Sequence, residues 1–280
     1  MTAASAAVPF LQQILAWEKK IAPDVPYLET ATGLFLGIHA NDNGGYSCSP
    51  ADSVCFARTG VDGVHYCILT DFSTHTNLEE APVICVAPMD FGHCVRLVAK
   101  NLRDFFSMTL AGQDLLLFND ITVKPAYLDA VRRQEEDRTT EYFDHREWKR
   151  QGEKVWRMAQ EEFGLKPIPD PFDYMQEIRA DRRGRVVLQT EDGLGVMPIG
   201  GGSSTACGPH PWSGGAFSYE RLSEITAFLD TAGAETKLSL IRDYQAQAFS
   251  DCDSLLLLVK ELERMGLPSE ARRLLHCMNN

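Results

Sequence analysis

The sequence has no Cys-x-x-Cys pair, no long apolar run and no excess of positive charge, and each absence excludes a class of protein. Its eight cysteines are scattered singly, whereas structural zinc sites and disulfide-rich secreted domains use regularly spaced cysteines. The apolar block at residues 255–259 is far shorter than the roughly 20 residues that span a bilayer. We therefore expect no membrane partner, and we interpret the cysteines as small buried side chains in a reducing compartment.

The charge balance is acidic, with 39 acidic and 27 basic residues in 280 and a net charge of −12. Nucleic-acid binding generally needs a basic surface that neutralises phosphates, so we expect no nucleic-acid partner. An acidic surface can instead attract a basic protein. The opening Met-Thr-Ala-Ala-Ser-Ala-Ala has no basic segment followed by an apolar core. We therefore expect no secretory signal and a cytoplasmic location.

The hydrophobic pattern predicts an α+β fold, in which helices flank a small mixed or antiparallel sheet and a mainly helical C-terminal extension follows. HYCILT and PVICVAP are typical of strands buried on both faces. Helical periodicity covers residues 9–20 and 93–108, and PADSVCFA is predicted to form a helical turn after its proline. Six apolar residues are expected in the core: Leu69, Ile84, Val86, Leu97, Leu102 and Phe105.

The character of the sequence changes near residue 125. We predict an α+β domain over residues 1–124 and a mainly helical region over residues 125–280, packed on the first. Its predicted elements are a helix over 141–165, a proline-rich connector KPIPDPFDYM, a short β-hairpin from GRVVLQT and LGVMPI, and helices over 219–229, 237–248 and 253–265.

Histidines and cysteines between His65 and Cys94 are suitable metal ligands by type but not by spacing. His65 and Cys67 could face one side of a strand, whereas His93 and Cys94 are adjacent. No second well-spaced pair completes a tetrahedral set. We therefore expect no metal and no cofactor, and interpret these residues as part of the sheet interior.

Two alternatives would make the protein a hydrolase. Cys207 lies near His210 in GGGSSTACGPHPW, where glycines could offer backbone N–H groups to a reacting oxygen. However, a catalytic histidine usually arrives from a distant segment, and the glycine run lacks the Gly-Lys-Ser/Thr ending of a phosphate-binding loop. A flexible loop is the simpler interpretation.

The second alternative is a carboxylate pair in or beside the loop after HYCILT, as in glycoside hydrolases. The candidates are Glu79 and Glu80 with Asp71 and Asp90. Adjacent acids in a polar loop of an acidic chain are more simply solvated side chains, and we favour that interpretation.

An ordered series of segments over residues 8–118 resembles the SUKH superfamily, which includes bacterial toxin-immunity proteins and fungal cell-wall regulators. An N-terminal amphipathic helix precedes APDVPYLETATGLF, and Asn43, Gly44 and Gly45 are similar to the family's Asn-Gly-Gly turn. The remaining segments of the series are SPADSV, TGVDGVHYCILTDF, EAPVICVAP and VAKNLRDFFSM.

The resemblance implies a binding protein without catalytic residues, since the family acts by docking protein partners. The leading hypothesis is an immunity or antitoxin-type protein that covers a basic toxin or nuclease domain; a housekeeping regulator without a toxin partner is a further possibility. Acids in turns and loops, and phenylalanines that directly follow an aspartate, are the expected contact residues. They are Asp62, Asp71, Phe72, Glu79, Glu80, Asp90 and Phe91.

Overall fold

A five-stranded antiparallel sheet forms the centre of the N-terminal half. The computed structural model describes residues 8–199, 207–215, 221–247 and 251–277. The strands are β1 (Phe35–Leu36), β2 (Ser53–Arg58), β3 (His65–Leu69), β4 (Val83–Val86) and β5 (Val95–Ala99). Each strand pairs with the next one in sequence, so the sheet is a meander without crossovers.

Helices cover the sheet and explain why its central strands are apolar on both faces. Every residue of β3 and β4 is buried. Helix α1 (Pro9–Ile21) and helix α2 (Leu102–Leu110) pack against the sheet, and Phe105 of α2 contacts the Phe56 ring edge-on at a centroid distance of 5.1 Å. The six predicted core residues are all buried, which confirms that part of the prediction.

The remaining described chain is mainly helical, and aspartates begin several of its helices. The side chain of Asp170, for example, accepts a hydrogen bond from Asp173 N, which satisfies a backbone donor at the helix start. The helices are α3 (Leu117–Asp120), α4 (Lys124–Gln134), α5 (His145–Phe163), α6 (Pro171–Arg185), α7 (Leu222–Thr231), α8 (Ala234–Ala246), α9 (Cys252–Arg264) and α10 (Pro268–His276). The predicted α+β class with a helical C-terminal part is confirmed.

The buried apolar side chains form two hydrophobic clusters, and each of them contains residues from both sides of residue 125. The first contains the sheet together with Val155 of α5 and Met175 of α6. The second contains the C-terminal helices, but also Ala51 and Phe72 from the sheet region. Helices α5 and α6 therefore belong to the core of the sheet, and the predicted hairpin is reduced to one antiparallel bridge between Leu188 and Val196.

Three local predictions differ from the structure. The segment after Pro50 forms β2 rather than a helical turn, because it pairs along its length with β3. The predicted helix over 93–108 is split: residues 95–99 pair with β4 as β5, and the helix begins only after Asn101, whose side chain accepts from Asp104 N. Pro171 begins α6 rather than lying in a connector, since proline suits the first helical turn.

Truncation of a core residue is expected to be strongly destabilising. Ile84 and Leu102 are fully buried, so Ile84→Ala and Leu102→Ala should each lower the free energy of unfolding by about 2–5 kcal/mol. Urea denaturation measures this. Leu128→Ala, at a leucine of α4 that is 51% exposed, is the matched control, and core variants as stable as this control would contradict the packing described above.

Candidate functional site

The antiparallel meander places the expected contact residues at opposite ends of the sheet. His65 of β3 is paired with both Arg58 and Val86, so the β2–β3 turn and the β4–β5 turn project from one end. Asp62, Asp90 and Phe91 lie in these two turns. The loop after β3, which carries Asp71, Phe72, Glu79 and Glu80, leaves from the other end. The seven residues therefore do not form one continuous surface.

Five large apolar side chains are exposed at the end that carries the two turns. Phe91 is 83% exposed, and Val61 and Met89 are each 64% exposed. Adjacent strands are about 4.8 Å apart, so the two turns, two strands apart in the sheet, are about 10 Å apart. We call the set Phe35, Tyr46, Val61, Met89 and Phe91 the turn-end patch.

The β2–β3 turn holds two of these side chains in place through glycines. A Cβ at Gly60 would lie 2.7 Å from the Phe35 ring, and one at Gly63 would lie 2.3 Å from the Tyr46 hydroxyl. Both glycines have positive φ, which costs them little. Asp62 between them is exposed, so the patch combines apolar area with a carboxylate.

Sequence reasoning included Phe91 but missed the other four members of the turn-end patch. Met89 was missed because residues 95–99 were predicted as helix rather than as β5, so the turn between two strands that carries Met89 was not recognised. Phe35 and Tyr46 are brought to the patch by tertiary contacts with the β2–β3 turn. These contacts leave no local signal in the sequence.

At the opposite end, only one of the two paired glutamates is fully available to solvent. Glu80 is exposed, as expected. Glu79 is half-buried, and its carboxylate accepts a hydrogen bond from the backbone N–H of Phe10 in the first turn of α1. An anion at a helix N-terminus is favourable, so Glu79 anchors α1 to the sheet.

Asp71 and Phe72 are not surface residues, and their assignment to a partner-binding surface is corrected here. Asp71 is 3% and Phe72 is 5% exposed. Arg182 of α6 forms two hydrogen bonds to the Asp71 carboxylate, at 2.6 and 3.0 Å. Phe72 lies in the C-terminal hydrophobic cluster, with its ring centroid 5.2 Å from the guanidinium carbon of Arg242.

The backbone at this point is strained. Asp71, Phe72 and Ser73 all have positive φ, between 46° and 65°. A left-handed conformation costs a residue with a Cβ roughly 1–2 kcal/mol. The side chains offset this cost, since Asp71 is held by Arg182 and the Ser73 hydroxyl donates to Glu270 at 2.8 Å.

Arg242 of α8 lies at the centre of a buried ionic network. Its guanidinium donates to Asp52 and to Asp192, the latter at 3.0 Å, and approaches Asp71 at 3.5 Å. With Arg182, the network contains three carboxylates and two guanidinium groups, so it carries one excess negative charge. Asp52 Oδ1 and Arg242 Nε have no hydrogen-bond partner among the described residues.

The excess charge is reflected in opposite pKa shifts. Burial, reinforced by Asp71 and Asp192, raises the pKa of Asp52 to about 6 despite the opposing effect of Arg242. Although burial also opposes its ionisation, hydrogen bonds from His75 and Arg182 and the charges of Arg182 and Arg242 hold the pKa of Asp71 well below its usual value. Of Asp52 and Asp71, Asp52 therefore takes up a proton first.

Cys207 and His210 are engaged with other groups. His210 Nε2 donates to Asp243 at 2.8 Å, and its Nδ1 accepts from Trp212 N at 3.2 Å. Both ring nitrogens are thereby occupied, and neither is available as a general base. Cys207 Sγ contacts Thr236 Oγ1 at 3.4 Å. The glycine run at 200–206 lies outside the described residues, and the described geometry does not support a Cys–His nucleophile.

The histidine and the cysteine of β3 belong to the interior of the fold. His65 Nδ1 lies 2.7 Å from Gly63 O, and Nε2 lies 3.1 Å from Asn43 O and 3.2 Å from the Ser49 hydroxyl. Burial lowers the pKa of His65. The ring also fills the space above Gly44, where an added Cβ would lie 1.9 Å from Nε2. The Asn-Gly-Gly turn is thus a packing element.

Neither a cluster of metal-ligating side chains nor a membrane-spanning helix occurs in residues 8–199, 207–215, 221–247 and 251–277. Within these ranges no three His, Cys, Asp or Glu side chains converge on a position that could hold a metal ion. None of the helices found there has both the length and the apolar composition needed to cross a bilayer.

Comparisons of the chain with protein-family models, with curated proteins and with solved structures found no match in any of the three.

The pH dependence of stability should reveal Asp52. Because its pKa of about 6 in the fold exceeds the ordinary 3.8, the folded state binds a proton that the unfolded state releases, and this stabilisation is lost as pH rises from about 4 to above 6. Relative to that of Asp52→Asn, the free energy of unfolding of the wild type should fall by on the order of 3 kcal/mol between about pH 4 and pH 7. Urea denaturation across this range measures the difference. Asp62→Asn, at an exposed aspartate, is the matched control, and a stability difference between wild type and Asp52→Asn that stays constant with pH would contradict the raised pKa.

Proposed function

We propose that this protein is a non-catalytic protein-binding protein of the immunity or antitoxin type, which covers a basic partner such as a toxin or nuclease domain. The observation that carries the proposal is the turn-end patch. Protein interfaces bury apolar and aromatic side chains at their centre and keep polar groups at the rim. Phe91 and Met89 protrude from one turn and Val61 from the neighbouring turn, which matches this arrangement.

The acidic character of the chain supports a basic partner. Asp62 is exposed and Asp90 half-buried beside the apolar side chains. The one arginine of β2 at this end, Arg58, is already paired with Asp42 at 2.8 Å. The net charge of −12 adds a long-range attraction for a basic surface. The resemblance of residues 8–118 to the SUKH superfamily supports the same class of function.

The proposed contact is limited to one end of the sheet. Glu79 and Glu80 lie at the other end, where Glu79 is bound to the N-terminus of α1. Asp71 and Phe72 are buried in contacts with Arg182 and Arg242. We therefore retain Asp62, Asp90 and Phe91 as partner-binding residues and add Val61 and Met89.

Loss of the Phe91 side chain should weaken partner binding. The partner is isolated with the immobilised full-length chain, and its affinity for each variant is then measured with purified proteins. We expect Phe91 to be a hot spot that contributes about 2 kcal/mol, so Phe91→Ser should weaken binding by about 30-fold. Tyr142→Ser is the matched control, because Tyr142 is 90% exposed and lies outside the patch. If Phe91→Ser leaves the affinity unchanged and Tyr142→Ser lowers it, the interface lies elsewhere on the protein.

Charge reversal should distinguish the two ends of the sheet. Asp62→Lys should slow association with a basic partner several-fold and weaken its dependence on salt, because rim charges act mainly on the association rate. Glu80→Lys makes the same charge change at an exposed glutamate of the opposite end and should have the smaller effect. Association rates at low and high salt, with thermal melts of both variants, test this. The reverse ranking would favour the acidic loop.

A further inference from the structure

A cavity of about 610 Å³ lies at the free edge of the sheet, separate from the exposed members of the turn-end patch. Its walls are β5, the end of the β4–β5 turn, α6 and the segment that contains Asp192. Small-molecule sites in proteins usually measure about 300–1,000 Å³. The cavity is therefore large enough for a small organic ligand.

Arginines dominate the charged groups of this cavity. Arg96 comes from β5, and Arg179, Arg182 and Arg183 come from α6. The positive charge of Arg182 is compensated by the Asp71 carboxylate, to which it donates two hydrogen bonds. The chain as a whole has more acidic than basic residues. Four guanidinium groups in one cavity therefore differ from its average composition.

Arg179 and Arg183 form no ion pair with any residue that the structure describes. Arg179 is half-buried, and it donates to two backbone carbonyls, Leu97 O and Phe118 O, at 3.3 to 3.4 Å. These three contacts leave two of its five N–H groups unused. Burial and the charges of Arg96 and Arg183 lower the pKa of Arg179 to about 10, and no ion pair with a described carboxylate opposes these effects.

The two carboxylates that line the cavity are already occupied. Asp192 pairs with Arg242 at 3.0 Å and accepts hydrogen bonds from Thr190 and Leu194. Glu191 accepts two hydrogen bonds from Gln247, both at 3.0 Å. Neither of them neutralises Arg179 or Arg183.

We propose that the cavity binds a small organic phosphate monoester, with Arg179 and Arg183 holding the phosphate group. A guanidinium presents paired N–H donors that match two phosphate oxygens. The apolar part of the ligand lies against Val95, Leu97, Phe118 and Leu194, which line the same cavity. The segment at 191–194 closes one side, and the backbone carbonyl of Leu194 is fixed by Arg182 Nε at 2.6 Å.

Phenyl phosphate is the probe for this site, and inorganic phosphate and phenol are the comparison probes. Binding is measured by titration calorimetry on the full-length protein. Phenyl phosphate should bind saturably and more tightly than inorganic phosphate, since the ring adds apolar contact, and phenol should not bind. Charge-assisted hydrogen bonds are the stronger ones, so Arg183→Gln should weaken phenyl phosphate binding by about tenfold or more.

Arg185→Gln is the matched control, because Arg185 also lies near the end of α6 but is paired with Asp181 and does not line the cavity. Arg183 is exposed, so its variant is expected to fold even if Arg179→Gln does not. Absence of saturable binding by either phosphate, or binding that Arg183→Gln and Arg185→Gln weaken equally, would overturn the assignment. Equal affinity for the two phosphates would overturn the assignment of an organic ligand.

Discussion

The packing of the C-terminal helices on the sheet region depends on the ion pairs of the buried Arg242 guanidinium. This guanidinium lies among Asp52 and Asp71 from the sheet region and Asp192 from the segment after α6. Charges removed from water must be paired, and removal of one partner leaves the others uncompensated. The neighbouring contacts repeat this pattern: Arg273 donates to Ala51 O at 2.6 Å and Gln245 donates to Ser49 O at 2.6 Å. The halves therefore meet through polar groups of defined geometry rather than through apolar area alone, which fixes one orientation of the C-terminal helices.

The antiparallel order of the strands is the second constraint, because it decides which loops are neighbours. A residue after β3 and a residue after β4 leave the sheet at opposite ends, although both follow a buried apolar strand. Asp71 consequently meets the C-terminal half, where Arg182 binds it. Asp90 instead lies in a turn beside Phe91, whose ring is left in solvent. The loop after β3 thus meets the C-terminal half through Asp71, whereas the β4–β5 turn exposes Met89 and Phe91.

The parts of the fold that could be predicted from sequence are those set by local patterns. The apolar runs of β3 and β4 identify buried strands, and the spacing of Leu102 and Phe105 identifies α2. Whether each of the two aspartate–phenylalanine pairs is buried or exposed could not be predicted in this way. Asp71-Phe72 and Asp90-Phe91 have the same local context, but the first pair is buried by Arg182 and Arg242, more than 100 residues further along the chain. The cavity lined by Arg96, Arg179, Arg182 and Arg183 could not be predicted for the same reason. Arg96 and Arg179 approach each other only when α6 packs against β5.

The β4–β5 turn connects the two surfaces for which functions are proposed. Its outer side exposes Met89 and Phe91. The last residues of the turn, Gly92 to Cys94, line the cavity that also contains Arg179 and Arg183. The turn is closed by its own hydrogen bonds, from Asp90 N to Ala87 O at 3.0 Å and from His93 N to Asp90 O at 2.8 Å. The exposed ring of Phe91 and part of the cavity wall therefore belong to one hydrogen-bonded turn.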